Sequence, residues 1–405
     1  MLRSITTIAA AGALVLGAAA CSSSGDGGGK PGDSSPIVIG NIGAYSGPLA
    51  SSVIGAKQTI EAWAKWTNAH GGIRGHQVKL IVKDEQNNPT TAVAAVKELI
   101  EKDKVVAIVG ERSSSDETWA KYADAAGVPV IGGQLIDTSF LTDPNFFATG
   151  ANILATIYGM LEQAKATGGP FAFLYCAESP RCASSGPLYK AMAQAVGVAL
   201  PVLTKISATA PDYTSQCLAL KNAGVTSYQI GSSSEIVFRV AKACEEQGVK
   251  AINVTSGGAL TASWAKEPAV NGTVSVDDAF PFTDDSTPAT KEYQQAKAKY
   301  APNIGGADGP VAAGAWVAGK LFQAAVAAAP SGPITPDSVR QGLYALKGET
   351  LGGLTAPLTF TKGKPTLINC YFVTKVADGK ITEPQGMKTS CAPDSLIGKI
   401  AAGLH

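Results

Sequence analysis

Residues 68–89 read NAHGGIRGHQVKLIVKDEQNNP, and this stretch decides the fold. It joins the end of one helix to a glycine-rich turn, to a predicted strand at 78–83 and to a second helix that begins at Pro89. Proline suits the first turn of a helix, where an N–H group would have no intrahelical partner. Beyond it, apolar residues recur at helical spacing: Ala92, Val93, Val96, Leu99 and Ile100. Helices that alternate with strands in this way predict βαβ units and a parallel sheet.

The same alternation continues along most of the chain. Runs of β-branched and aromatic residues predict further strands, at 37–42, 105–109, 128–131, 171–175, 202–206, 226–230 and 252–255, with helices between them. Residues 283–347 are predicted to be helical, and 358–376 have the pattern of a strand pair. About 370 residues follow the first 36, which is too many for one ordinary hydrophobic core. The predicted fold class is therefore α/β, with two Rossmann-like lobes in which helices flank parallel sheets.

The N-terminus predicts export. Residues 1–20 contain one basic residue followed by a short apolar and small-residue run, as in a signal peptide. Three alanines precede Cys21 and resemble a bacterial lipobox, which implies cleavage before Cys21 and a lipid on its thiol. Plain secretion with an unpaired Cys21 is the alternative. Residues 21–36 are rich in Gly, Ser, Pro and Asp, so we expect a flexible linker with a reach of roughly 20 Å.

Six further cysteines follow, an even number in a chain that is exported to an oxidising compartment, and this favours disulfides over metal ligation. Sequence alone leaves several pairings open. We predict that nearest neighbours pair: Cys176 with Cys182, Cys217 with Cys244, and Cys370 with Cys391. The middle pair has the best support, because both of its residues lie on predicted helices that flank one strand. Closing that loop should stabilise the protein by roughly 3 kcal/mol.

Residues 68–89 resemble the opening segment of the branched-chain amino acid and amide binding proteins of ABC importers, the Leu/Ile/Val-binding-protein-like family with the type I periplasmic-binding fold. That family has a Gly-Gly-Ile-x-Gly turn, a strand that ends in Asp and a helix that begins with Pro. The corresponding residues here are Gly71, Gly72, Ile73, Gly75, Asp84 and Pro89. Further matches are the loops at 44–47 and 110–115 and the stretch 351–360. The similarity covers about 37–380.

This resemblance implies two lobes joined by a three-crossover hinge that closes on a ligand. The N-terminal lobe would comprise 37–150 plus 281–349, and the C-terminal lobe 151–280 plus 350–405. We also expect a monomer on the extracytoplasmic face of the bacterial cell membrane, attached through the lipid anchor only. There it would capture a small-molecule solute and deliver it to an ABC permease in the membrane. A ligand sensor for a signalling partner is the alternative role for the same fold.

Loops at the carboxyl ends of the parallel strands are the expected ligand site. In the first lobe they supply Tyr45, Ser46, Arg112, Ser113, Ser114, Ser115, Gly133 and Gln134. Serine hydroxyls and free N–H groups ahead of a helix favour a carboxylate, and family members use this loop for the ligand carboxylate. Replacing Ser113 and Ser114 together by alanine should then weaken binding without unfolding the protein. Ser115 is otherwise only the N-cap of the next helix, and Tyr45 either stacks on the ligand or packs between lobes.

The second lobe is expected to supply Glu178, Ser232, Ser233, Gly257 and, at a crossover, Phe280, which again either stacks on the ligand or packs between lobes. Amino-acid-binding members place an acidic residue near Gly257, where it pairs with the ligand ammonium, and an aromatic residue near Ser232; this chain has neither. Glu178 is the candidate substitute for the acid, or else a solvated loop carboxylate. The expected ligand is a branched-chain or other amino acid. An aromatic or short organic acid that lacks an ammonium group is the alternative.

Composition argues against catalysis and against polyanionic partners. The net charge is +1 and basic residues are scattered, so we expect no nucleic-acid partner. Three histidines cannot form a metal cluster, and Ser263-x-x-Lys266 lacks the S-D-N and K-T-G motifs that accompany it in penicillin-recognising enzymes. G-x-S-x-G and P-loop motifs are also absent from the sequence. We therefore expect no enzymatic activity, no metal and no cofactor.

Overall fold

The structure, a computed structural model, describes residues 35–48, 50–178 and 180–403. The predicted signal peptide, Cys21 and nearly all of the predicted linker lie outside the described residues.

Five parallel strands form the first sheet: β1 (Ile37–Gly43), β2 (Val78–Asp84), β3 (Ile108–Val109), β4 (Val130–Ile131) and β5 (Phe146–Phe147). They lie in the order β2-β1-β3-β4-β5. β1 and β2 run in register from Ile37 opposite Val78 to Gly43 opposite Asp84. Nearly every residue of β1 is buried, as expected of a parallel strand that is covered on both faces. β5 was not predicted, because a strand of two residues leaves no periodic pattern.

The helices between these strands are α1 (Ala50–Ala69), α2 (Pro89–Lys97), α3 (Ala120–Ala125) and α4 (Ser139–Thr142). Pro89 lies in the first turn of α2, and the Asn88 side chain caps that turn by accepting two backbone N–H bonds. The glycines of the predicted turn at 71–75 all have positive φ, which glycine adopts without steric cost. Between β3 and β4 the sequence predicts one helix at about 116–126, but the chain there forms a 3₁₀ turn, Asp116–Thr118, followed by α3.

The strands of a second sheet and the helices between them come next in the chain: α5 (Ile153–Lys165), β6 (Phe171–Cys176), α6 (Pro180–Val196), β7 (Val202–Ile206), α7 (Thr214–Asn222), β8 (Ser227–Gly231), α8 (Ser234–Glu246), β9 (Ile252–Ser256) and β10 (Val274–Asp277). Strands β6 to β10 pair in parallel, in the order β7-β6-β8-β9-β10. They form the core of a second sheet whose carboxyl-terminal loops, like those of the first sheet, are available to build a site.

The last part of the chain adds α9 (Pro288–Tyr300), α10 (Pro310–Ala328), α11 (Pro336–Ala345), β11 (Lys347–Glu349), β12 (Leu358–Thr359), β13 (Cys370–Ala377), β14 (Lys380–Thr382), β15 (Ser390–Cys391) and α12 (Asp394–Ala402). α10 packs against α1, β3 and β4 of the first sheet, whereas β13 joins the second sheet beside β10. The chain thus passes between the sheets three times. The predicted α/β class with parallel sheets and flanking helices is confirmed, and the exact lobe boundaries stay a prediction.

α10 is the most apolar of these helices. Within the described residues it is long and apolar enough to span a bilayer by length and composition. However, 72% of its apolar 18-residue stretch is buried inside the protein. Its Gly319 lies against the indole of Trp63, where a Cβ atom would stand 2.4 Å from the ring. This burial and close packing are those of a core helix.

Two predictions about secondary structure were wrong. Residues 358–376 are not a strand pair, because β12 pairs with β11 while β13 pairs antiparallel with β10. β10 has only four residues and was not recognised in the sequence, so the partner of β13 was missing. The sequence also predicts that the helix after β6 spans 186–196, but α6 begins at Pro180, so Pro187 lies inside the helix, where proline is unusual.

All three predicted disulfide pairings are confirmed. Cys217 of α7 and Cys244 of α8 join the two helices on either side of β8, as predicted. Cys370 and Cys391 lie directly opposite each other in the β13–β15 ladder. The remaining bridge joins the end of β6 to the start of α6, and both of its cysteines border the cavity described below.

Candidate functional site

A cavity of about 350 Å³ lies at the carboxyl ends of strands from both sheets. Its wall includes residues from the loops that follow β3, β4, β8 and β9, together with the start of α1. Small-molecule sites usually measure about 300–1,000 Å³. Position and size therefore both fit a ligand site of the kind found beyond the strand ends of open α/β sheets.

The structure brings five of the predicted site residues together in this wall: Arg112, Ser114, Gln134, Ser232 and Ser233. Gly257 borders an adjoining space of about 10 Å³ that Arg112 and Gln134 also line. The other predicted residues lie elsewhere. Ser113, Ser115 and Gly133 are in the same loops but outside the cavity lining, and Ser46 is exposed.

Tyr45, Phe280 and Glu178 do not line the cavity. The buried Tyr45 hydroxyl donates to Asn41 Oδ1 at 2.6 Å, and burial raises the pKa of this phenol well above its ordinary value. Phe280 packs edge-on against Tyr293, with ring centroids 5.2 Å apart. Glu178 accepts from a hydroxyl at 3.0 Å and a backbone N–H at 2.6 Å, both in the loop after β7. Each of these side chains thus has a partner within the protein.

Arg112 supplies the positive charge of the wall. It is 3% exposed, and its two terminal nitrogens donate to the carbonyl oxygens of Gly133 and Val311. Nε has no acceptor among the described residues. Gly314 of α10 leaves room for the guanidinium, since a Cβ atom there would stand 2.6 Å from Nη2. These hydrogen bonds to neutral carbonyl groups hold the guanidinium in place, and its charge also acts on the buried carboxyl of Asp278, which borders the same adjoining space.

A buried carboxylate that sequence analysis missed organises the serine loop. Glu85, directly after β2, is fully buried and accepts from Ser113 Oγ at 2.5 Å and from Ser114 N and Oγ at 2.5 and 2.6 Å. Ser113 Oγ in turn accepts from Trp119 Nε1 at 3.1 Å. Ser115 stands at the cap position of the following turn, but its side chain makes no capping hydrogen bond. Two of the three loop serines predicted for a ligand carboxylate, Ser113 and Ser114, therefore donate their hydroxyls to Glu85.

Three carboxylates border the cavity as well: Asp116, Glu117 and Asp137. Asp116 and Asp137 are only 2% and 1% exposed, and Oδ2 of Asp116 has no partner among the described residues. A buried carboxylate oxygen without a hydrogen bond is costly, so this wall favours a ligand that brings a donor or a positive charge. Within the described ranges no group of three or more His, Cys, Asp or Glu residues is placed to hold a metal ion.

Glu111 directly precedes Arg112 in the chain. It contributes less negative charge to the site than a fully ionised carboxylate would, because the pKa of its carboxyl is raised. Burial raises the pKa of its carboxyl to about 8, and the nearby charge of Asp116 acts in the same direction. The backbone N–H groups of Gln134 and Ser113, which donate to it at 2.8 and 2.7 Å, and the charge of Arg112 oppose this shift only in part. The raised pKa weakens the competition of Glu111 with a ligand anion for Arg112.

The rest of the wall is largely apolar and comes from the second sheet and its helices. It includes Ile153, Ile157, Met160, Phe173, Leu188 and Tyr189. The first three lie on one face of α5, at helical spacing. The rings of Phe173 and Tyr189 are stacked, with centroids 3.9 Å apart. The cavity therefore has a charged end formed mainly by first-sheet loops and an apolar end formed by second-sheet elements.

Comparison with known proteins places this site in context. A family model described as periplasmic binding protein matches residues 36–380. An amino acid binding protein of Pseudomonas aeruginosa is 30% identical over 136 residues, which is 33% of this chain and 35% of that protein. The chain thus matches about a third of the length of this curated relative.

Two solved structures show the same fold. A branched chain amino acid ABC transporter protein from Thermus thermophilus with bound valine has a TM-score of 0.80 and 16% identity, covering 90% of this chain and 98% of that one. A solute binding protein from R. palustris in complex with 4-hydroxybenzoate has a TM-score of 0.73 and 19% identity, covering 89% and 98%. At such identities the likeness concerns the fold alone.

Proposed function

Because this chain belongs to the periplasmic binding protein family, whose members are extracytoplasmic solute carriers of ABC-type import and not enzymes, we propose that its cavity captures an amino acid by closure of the two lobes. The observation that carries this proposal is one cavity wall that holds both signs of charge. A guanidinium bonded to neutral carbonyls, Arg112, lines the same cavity as the buried carboxylates Asp116 and Asp137. An amino acid carries the matching pair of charges.

The ligand carboxylate would bind Arg112. The carbonyls of Gly133 and Val311 hold the guanidinium in position before the ligand arrives, so little ordering is needed on binding. Gln134 lies beside it in the wall, and Ser232 and Ser233 line the cavity from the second sheet. These side chains provide hydrogen-bonding groups around the carboxylate.

The ligand ammonium would bind Asp116, with Asp137 nearby. This assignment replaces the role expected for Glu178, whose carboxylate is hydrogen-bonded in the loop after β7. Asp116 would thus supply, from a loop of the first sheet, the acidic group that is missing at the second-lobe position near Gly257. Two similar proteins support an amino acid ligand: the P. aeruginosa relative is an amino acid binding protein, and the T. thermophilus structure holds valine.

A carboxylic acid without an ammonium group is the second candidate. The large apolar end of the cavity suits an aromatic or aliphatic acid, and the R. palustris structure holds 4-hydroxybenzoate. For such a ligand Asp116 would lack a counter-charge. The two candidates therefore differ in whether Asp116 contributes to binding.

Asp116→Asn is expected to weaken amino acid binding by about 10- to 100-fold, because a hydrogen bond to a charged group contributes roughly 1.5–3 kcal/mol. Isothermal titration calorimetry should compare L-phenylalanine with 3-phenylpropionate and L-leucine with 4-methylpentanoate, each pair differing by the ammonium group. The substitution should leave any binding of the two acids unchanged or stronger. The exposed Asp285→Asn is the matched control. Tighter wild-type binding of the acids than of their amino acid partners would favour the second candidate.

We further propose that a lipid on Cys21 holds the protein, as a monomer, at the outer face of the membrane beside an ABC permease. The lipobox-like alanines before Cys21 and the polar segment after it support the anchor. Cys21→Ala is expected to move the protein from the membrane fraction to the soluble fraction, as followed by immunoblotting of fractionated cells. Retention of that variant in the membrane fraction would contradict the anchor.

A further inference from the structure

We infer that the apolar end of the cavity takes an aromatic ring that carries a hydrogen-bonding substituent, so that the preferred solute is aromatic rather than branched-chain. The inference rests on the proposed function for the existence of a ligand in this cavity. It does not depend on whether that ligand has an ammonium group. We call the region bordered by Ile157, Met160, Phe173, Leu188, Tyr189 and Gln229 the inner compartment.

The inner compartment lies well below the loops at the strand ends. Phe173 and Gln229 are opposite each other in the β6–β8 ladder, two residues before Tyr175 and Gly231. A strand rises about 3.3 Å per residue, so the two side chains stand roughly 7 Å beneath the ends of these strands. Along α5, the lining residues from Ile153 to Met160 span about 10 Å. The cavity thus continues between α5, α6 and the second sheet.

Size and wall chemistry favour a ring. An apolar cavity of about 150 Å³ accommodates benzene, and this cavity has about 350 Å³, enough for a ring and a charged head group. The stacked Phe173 and Tyr189 present aromatic surface, and the Met160 thioether makes favourable contacts with rings. A valine side chain would leave much of this space empty and lose those dispersion contacts.

Gln229 indicates a polar group on the ring. It lies in the cavity wall, is 5% exposed, and one end of its amide is bonded to the Tyr189 hydroxyl. Within the described residues the other end of the amide has no hydrogen-bond partner. The amide nitrogen keeps access to the cavity, so a ligand hydroxyl or carbonyl at this depth would accept a hydrogen bond from it. Gln229 is therefore the specificity-determining residue that we assign to the far end of the ligand.

The test is calorimetric titration of the mature protein with L-tyrosine, L-phenylalanine, L-leucine and L-valine. We expect L-tyrosine to bind at least about 10-fold more tightly than L-phenylalanine, since a site built to bond a hydroxyl rejects the analogue that lacks it. Both should bind more tightly than L-leucine and L-valine. Gln229→Met should abolish the difference between L-tyrosine and L-phenylalanine. Ile157→Phe should fill the compartment and weaken both aromatic probes at least about 10-fold, while Ile157→Val retains them.

Three results would overturn the inference: L-leucine or L-valine binding as tightly as the aromatic probes, no aromatic probe binding, or an unchanged preference in Gln229→Met. Titration with 4-hydroxyphenylpropionate and 3-phenylpropionate distinguishes failure of the inner compartment inference from failure of the proposed function. If only these acids bind, with the same response to Gln229→Met, the amino acid proposal fails and the inner compartment inference holds. If only aliphatic amino acids bind, the inner compartment inference fails and the amino acid proposal holds. Thermal unfolding of each variant checks that it is folded.

Discussion

Arg112→Ala is expected to lower the affinity for a carboxylate-bearing solute by at least about 100-fold, or roughly 3 kcal/mol. Removing one member of a buried, hydrogen-bonded charge pair typically costs about 2–5 kcal/mol of binding free energy. The guanidinium is 3% exposed and is oriented by the carbonyls of Gly133 and Val311, so its charge is neither screened by solvent nor free to turn away. Titration calorimetry with the tightest probe of the panel above measures the loss.

Two variants control this experiment. Arg112→Lys keeps the charge but not the planar fork that bonds both carbonyls, so an intermediate affinity is expected. Arg239 also donates to two backbone carbonyls, those of Ala208 and Ala210, but it lies outside the cavity wall. Arg239→Ala should therefore leave affinity unchanged. A folded Arg112→Ala protein with wild-type affinity would place the carboxylate elsewhere.

The double substitution Ser113→Ala, Ser114→Ala is expected to lower the free energy of unfolding by about 3–6 kcal/mol, because each hydrogen bond to a charged group contributes roughly 1.5–3 kcal/mol. It removes both hydroxyl donors of the fully buried Glu85 and, among the residues that the structure describes, leaves its side chain only the backbone N–H of Ser114. Sequence analysis predicts a loss of binding without unfolding, and the bonds to Glu85 change that expectation. Denaturation in urea without ligand is the measurement, since the midpoint and slope report stability directly.

A third substitution provides the internal check. Adding Glu85→Met to the double variant should recover part of the lost stability, because removing all partners of a buried hydrogen bond is less costly than stranding one of them. Ser232→Ala combined with Ser233→Ala, two cavity-lining serines of the second sheet, should change stability little. Wild-type stability in the Ser113 and Ser114 double variant would show that Glu85 does not depend on these hydroxyls.

Much of the fold follows from local sequence signals. The glycines at 71–75 and the Asn88-Pro89 pair end and begin helices through backbone geometry and capping, which act over a few residues and are visible in sequence. The disulfide between Cys217 and Cys244 was predictable because consecutive helices flank one strand. The pairing of β13 with β10 was not, since it joins residues about 100 positions apart through a strand of four residues.

The site was predictable where it consists of loops after parallel strands. That rule selected Arg112, Gln134 and Ser232, which line the cavity. The same rule should have drawn attention to Glu85, which directly follows β2, but a loop carboxylate is usually solvated and its burial depends on the neighbouring serine loop. The α5 face was not predicted as part of the site, because apolar residues at helical spacing look the same whether they meet a neighbouring helix or an open cavity.

The division of the cavity between the two sheets bears on how such a protein can diverge after gene duplication. The charged end depends on a connected set of buried groups around Arg112 and Glu85, where single changes endanger folding. The inner compartment is bordered by separate apolar side chains such as Ile157 and Leu188, and exchanges among apolar residues of similar volume usually cost less than about 1.5 kcal/mol. We therefore expect descendants of this chain to keep the head-group anchor and to acquire new substrates through α5 and α6.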